Sequence, residues 1–132
     1  MSKQTLSQIQ GGPPAIGPYS PVVIAEGRFA YVSGQIPFDP EAGKIVRGSI
    51  TEQVEIVLSN LKRAVEATGA DLADVVSCRV YLQPLTPETF AEMNTVYARV
   101  FGDNKPARTT LGAGLLGFDV EIEAVVVLPA AS

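Results

Sequence analysis

Residues 119–128 (DVEIEAVVVL) read as a strand with no wholly polar side. Strand side chains alternate, so Val120, Ile122, Ala124, Val126 and Leu128 point one way. Glu121, Glu123, Val125 and Val127 point the other way. A second strand, residues 29–35, splits likewise: Ala30, Val32 and Gly34 against Phe29, Tyr31, Ser33 and Gln35. Such a sheet has two apolar faces to cover, and the supply of covering elements limits what the chain can build.

Two segments can cover one face. Ser49-Ile50-Thr51-Glu52 has the capping-box pattern, in which Ser and Glu satisfy orphan helix amides reciprocally. Val54, Val57, Leu58, Leu61 and Val65 follow at helical spacing, and Gly69 reads as the C′ residue. Thr86 reads as the cap of a second helix with Pro87 at its first position and Phe90, Met93, Tyr97, Val100 and Phe101 as its apolar stripe. Both helices on one face of a five- or six-stranded sheet give a single α+β unit across residues 1–132.

The remaining segments supply strands and turns. Residues 5–9 read as a short edge strand, and residues 22–25 and 29–35 as a hairpin about Glu26-Gly27-Arg28. Residues 38–47 form a turn-rich connection. Residues 74–82 alternate, with Val76, Cys78, Val80 and Leu82 on one face, and residues 107–111 read as a further strand. Nothing remains to cover Val125, Val127, Phe29 and Tyr31. An exposed apolar patch of that kind is uncommon on a monomer, so a second copy of the chain is the expected cover.

Composition removes several chemistries. The chain of 132 residues has no His, which excludes Ser-His-Asp and Cys-His machinery and His-ligated metals. Its one cysteine, Cys78, excludes an internal disulfide and multi-cysteine zinc patterns, and reads as a packing residue. The formal net charge of −4 argues against binding nucleic acid by phosphate neutralisation. The polar start MSKQTLSQIQ has no secretory apolar core, and the apolar tail, residues 124–131, is far too short to span a bilayer. The expectation is a cytoplasmic protein without membrane or nucleic-acid partners.

Candidate site residues each admit two readings. Gly112-Ala113-Gly114-Leu115-Leu116-Gly117 is literally G-x-G-x-x-G, but a strand pattern follows where a dinucleotide site needs a helix. It reads as a strand-to-strand loop. Arg108 reads as a surface residue or as a fork for a carboxylate, and Arg79 shares that ambiguity. Glu121 and Glu123 read as a solvated alternation or as an acid–base pair bordering a covered surface.

Several fragments together resemble one family. AIGPYSP (residues 15–21), YVSGQIP (31–37), FAEMNTVYARVF (90–101), KPART (105–109) and VEIEA (120–124) are similar to the RidA/YjgF family of imine deaminases, also named endoribonuclease L-PSP. The resemblance runs from Ala15 to Ala124. It implies a chorismate-mutase-like fold, with a mixed sheet and two helices on one face, assembled as a homotrimer with ligand clefts between subunits. It implies hydrolysis of 2-imino acids or their enamine tautomers to 2-oxo acids and ammonia, with no metal or organic cofactor. The carboxylate-binding Arg falls on Arg108 and the water-handling Glu on Glu121. Tyr19, Ser33, Gly34 and Asn94 match ligand-cleft positions. Thr110 stands where the deaminase branch commonly has Cys, and the loop from Gly112 to Phe118 is short; both bear on the preferred imine. The alternatives are a 2-oxo-acid-binding or chaperone-like member without turnover, a ribonuclease, and a specialised deaminase such as a 2-aminomuconate deaminase.

Overall fold

Ser49 caps the first helix as its sequence predicts: its side chain accepts from the Glu52 amide, and the Glu52 carboxylate reaches back to the Ser49 amide. The computed structural model describes residues 2–130; Met1, Ala131 and Ser132, and with them the last residue of the apolar tail, lie outside the described residues. In chain order the elements are β1 (Lys3–Leu6), β2 (Val22–Ala25), β3 (Phe29–Gln35), β4 (Phe38–Asp39), β5 (Lys44–Ile45), α1 (Ile50–Glu66), β6 (Val75–Leu82), α2 (Pro87–Phe101), β7 (Ala107–Gly112) and β8 (Val120–Val127). A 3₁₀ turn, Leu72–Asp74, leads into β6.

The main sheet has the order β3-β8-β6-β7. β6 and β7 are parallel, joined through α2, whereas β8 is antiparallel to both β3 and β6. A parallel pair needs such a crossover, because a tight turn cannot return the chain to the same end. Both helices lie on one face. Val54, Val57, Leu58, Leu61 and Val65 of α1 meet Met93, Val96, Tyr97 and Phe101 of α2 over Cys78, Val80, Leu82, Val120, Ile122, Ala124 and Val126. Each large aliphatic side chain buried there contributes roughly 1.5–3 kcal/mol. Thr86 caps α2 with Pro87 in its first turn. Among the described residues, no helix is long and apolar enough to cross a membrane.

The structure corrects several local expectations. The main sheet has four strands, and residues 22–35 do not form a hairpin: β2 pairs with β1, and β3 with β8. The switch occurs at one residue. The Glu26 amide donates to the Ser2 carbonyl, extending the β1–β2 ribbon, while the Leu128 amide donates to the Arg28 carbonyl, extending the β3–β8 ladder. Gly27 lies between them with φ +131°, a conformation that a side chain would strain. The N-terminal strand is Lys3–Leu6, set by its register with β2, instead of residues 5–9. Gly69 takes φ +90°, but Ala67 is the C-cap of α1, so Gly69 sits one position beyond C′.

Two bulges change which side chains face the core. In β6 one extra residue between Val75 and Ser77 puts Val75 in the core in place of Val76. In β3 one extra residue between Val32 and Gln35 reverses the alternation. Gln35 pairs with Ile122 and therefore joins the helix-covered face, while Gly34 moves to the Glu121 face. The second face is also smaller than expected, since Val127 is fully buried with the Gly27 turn against it. Phe29 and Tyr31 remain exposed, Tyr31 at 79 %.

Candidate active site

Arg108 is the second residue of β7, an edge strand, and lies beside Cys78 in the parallel register. Cys78 in turn lies beside Ala124, so Arg108 belongs to the helix-covered face. The loop before β2 is tied down next to it. The Ser20 amide donates to the Pro106 carbonyl, and the Ser20 hydroxyl donates to the Lys105 carbonyl. These bonds bring the Tyr19 ring to 5.4 Å from the guanidinium carbon. Phe90 and Tyr97 of α2 approach the same carbon at 5.6 Å and 4.9 Å. Three π-faces thus hold one cation, an arrangement that fixes its plane while leaving its N–H edges open.

The guanidinium is under-satisfied. It is half-buried, and burial lowers it from its ordinary pKa. Nε has no hydrogen-bond partner among the described residues, and Nη1 has only the weak Met93 Sδ acceptor at 3.7 Å. No carboxylate pairs with it among the described residues, although Arg47, Arg79 and Arg99 each have one. A partly desolvated cation without an anion is costly, and buried polar atoms are ordinarily paired. The Asn94 Oδ1 and Thr110 Oγ1 are likewise buried and have no partner among the described residues. Asn94 lies beside Arg108: a Cβ built on Gly17 would fall 2.8 Å from Arg108 Nη2 and 3.4 Å from Asn94 Nδ2. Gly17 is therefore what lets the loop close over both side chains. Thr110 follows Arg108 by two residues on the same face. Beneath, Cys78 is a buried thiol pushed up to about 12 by desolvation, which makes it an inert packing residue.

A different cluster occupies the other face. Glu121 lies beside Tyr81 in the β8–β6 register, and Glu123 beside Arg79. The β3 bulge brings Gly34 against Glu121 so closely that any Cβ there would overlap the carboxylate. Ser33 is the exposed neighbour of Gly34 in the bulge. The Glu123 carboxylate accepts a short hydrogen bond from the Tyr81 hydroxyl and stands 3.9 Å from Arg79 Nη1.

The seven residues singled out in the sequence thus fall into two groups. Tyr19, Asn94, Arg108 and Thr110 gather under α2. Ser33, Gly34 and Glu121 gather on the opposite face of the sheet. Among the described residues, no group of His, Cys, Asp and Glu side chains is arranged to hold a metal ion.

The match to known proteins covers both groups. A family model described as Endoribonuclease L-PSP matches residues 10–128. The chain belongs to this family. A RutC family protein of Pyrococcus abyssi is 50 % identical over 111 residues, covering 84 % of this chain and 85 % of that protein. The human 2-iminobutanoate/2-iminopropanoate deaminase is 38 % identical over 117 residues, covering 87 % and 83 %. The crystal structure of a Yersinia pestis protein of unknown function from the conserved Rid family superposes with a TM-score of 0.85 at 27 % identity, covering 97 % of this chain and all of that one. The α+β fold, with two helices on one face of a mixed sheet, is thus that of the L-PSP family.

Four residues of the Arg108 surround were absent from the sequence-derived site. Phe90, Met93 and Tyr97 read as an ordinary core stripe. A signal was present: Asn94 is a polar residue four positions after Phe90 and three before Tyr97, in the middle of an apolar helix face. Gly17 is one glycine of the Gly/Pro-rich stretch of residues 11–21, with nothing in the sequence to set it apart.

Proposed function

We propose that the chain hydrolyses small 2-imino acids, or their enamine tautomers, to 2-oxo acids and ammonia, in a cleft completed by a second copy. The observation that carries this reading is the half-buried Arg108 guanidinium, which has no anion among the described residues and lies beside the unpartnered Asn94 Oδ1. A planar carboxylate matches its open N–H edge in a bidentate pair. The similarity to the human deaminase supports the same substrate class.

In this reading Arg108 binds the substrate carboxylate, with Tyr19 and Asn94 closing the same pocket. The imine carbon is thereby fixed beside the Glu121 carboxylate of another copy, next to the backbone at Ser33 and Gly34. Glu121 accepts a proton from water as the water oxygen bonds to the carbon of the protonated imine. The resulting carbinolamine takes that proton on nitrogen, and Glu121 then accepts the hydroxyl proton as the C–N bond breaks, the C=O bond forms and ammonia leaves. Positioning supplies much of the acceleration, because imine hydrolysis is already spontaneous. Proton transfer by Glu121 adds ~10²–10⁴-fold. Activity is expected on small 2-imino acids, of the size derived from alanine or threonine, with Thr110 and the short Gly112–Phe118 loop, both near Arg108, shifting the preference. Ribonuclease activity has less support: the chain carries a net charge of −4 and no His to move protons at phosphate.

The test is the decay rate of imines generated in situ from several amino acids, corrected for spontaneous hydrolysis. Acceleration with alanine- and threonine-sized precursors is expected. If none is hydrolysed faster than in buffer while 2-oxo acids still bind, the protein is a binding member of the fold.

A further inference from the structure

The two glutamates on β8 share a face but have different surroundings. Glu123 leans toward β6, where the Tyr81 hydroxyl donates to it and Arg79 Nη1 stands 3.9 Å away. Glu121 leans toward β3, over the space left by Gly34, and has no hydrogen-bond or ion-pair partner among the described residues. Residues two apart on a strand are roughly 7 Å apart, so a free Glu123 side chain could swing toward Glu121 and bring two like charges together.

We propose that Tyr81 is a positioning residue: by holding Glu123 against β6 together with Arg79, it keeps the second carboxylate away from Glu121 and leaves Glu121 as the base. This rests on the reading of Glu121 as the water-handling group. Tyr81 suits the task. It lies directly beside Glu121 in the register but spends its hydroxyl on the diagonal neighbour, so it fills the space between the two carboxylates. Its bond to Glu123 raises the phenol pKa, so it remains a donor throughout the working pH range. The other charged or titratable groups facing Glu123 are few. Among the described residues they are Arg79 on β6, Glu121 on its own strand, and Tyr31 on β3, which lies beside Val125; in the proposed cleft Arg108 of another copy also faces Glu121 in the parent and in both variants alike. β7 presents Thr109 and Leu111 to this face, neither of them ionisable.

The experiment measures the acidic limb of the pH–rate profile and, separately, the Glu121 carboxyl titration by carbon NMR, in the parent, Tyr81→Phe and Glu123→Gln proteins. Tyr81→Phe releases a charged Glu123 toward Glu121, so both midpoints should rise by about half a pH unit. Glu123→Gln keeps an acceptor for Tyr81 but removes a charge that is already held away, so both midpoints should move by clearly less, and Tyr81→Phe made in the Glu123→Gln background should lose the rise. A role confined to sheet packing would lower the rate equally at every pH and leave the NMR midpoint in place. An unchanged NMR midpoint in Tyr81→Phe would overturn the proposal. If the NMR midpoints move while the rate limb does not, the reading of Glu121 as the base fails and the coupling of the two carboxylates stands.

Discussion

Arg108 and Glu121 lie on opposite faces of the same sheet. The register makes this unambiguous: Arg108 neighbours Cys78 on the helix-covered face, and Glu121 neighbours Tyr81 on the other. Two residues proposed to act on one substrate therefore cannot meet through the sheet of a single chain. A second copy that lays its Glu121 face near the β7 edge of the first would bring them together and would cover Phe29 and Tyr31 at the same time.

Arg108→Ala and Glu121→Gln should separate binding from chemistry. The carboxylate held by Arg108 is common to substrate and product. Losing a charge-assisted pair in a partly dry cleft costs ~2–5 kcal/mol, so 2-oxo-acid affinity measured by calorimetry should fall at least about tenfold, along with turnover. Glu121→Gln keeps size and polarity but loses the basic oxygen. Turnover should drop by about a hundredfold or more while product affinity stays within a few-fold.

Gly34→Ala tests the bulge. The added methyl must displace the Glu121 carboxylate, so turnover should fall strongly with little loss of fold. Gly114→Ala is the matched control, because a Cβ there meets nothing within 4 Å. Equal activity in the two variants would remove Gly34 from the site.

Gln53→Leu should lower stability. Gln53 is fully buried and donates to the Gly48 carbonyl and the Asp119 carboxylate, while its own carbonyl accepts from the Asp119 amide at 2.8 Å. That network ties the start of α1 to the entry of β8, two residues before Glu121. Leaving the Asp119 amide unpaired costs about 1–3 kcal/mol, readable as a lower urea midpoint.

The oligomer predicted is a trimer. Light scattering after size exclusion should give three times the chain mass of 13.9 kDa. A clean monomer at micromolar concentration would leave Arg108 and Glu121 with no means of meeting.

Much of this arrangement is legible in the residues. The Ser49–Glu52 and Thr86–Pro87 caps are local devices, and local sequence sets them. The two faces of β8 follow from simple alternation. What the residues conceal is set by distant pairing. The bulges that exchange Val76 for Val75 and turn Gly34 toward Glu121 exist only in register with β8, and β2 leaves the expected hairpin because β1, some twenty residues earlier, is its partner. Arg108 shows the same limit at the candidate site. Its local sequence permits a surface arginine, and only the meeting of a proline-rich loop, an edge strand and α2 places it among three rings, with no carboxylate partner among the described residues.

The central claim, that each cleft takes Arg108 from one copy and Glu121 from another, has a direct measurement. Arg108→Ala and Glu121→Gln proteins, each strongly impaired alone and assayed at a substrate level where the Arg108→Ala loss is fully expressed, are unfolded together in equal amounts and refolded. Random assembly places an intact Arg108 opposite an intact Glu121 in about one cleft in four, so activity should return to roughly a quarter of the parent's. If both residues served one cleft from the same chain, every cleft would carry one defect or the other, and the mixture would remain as inactive as its components.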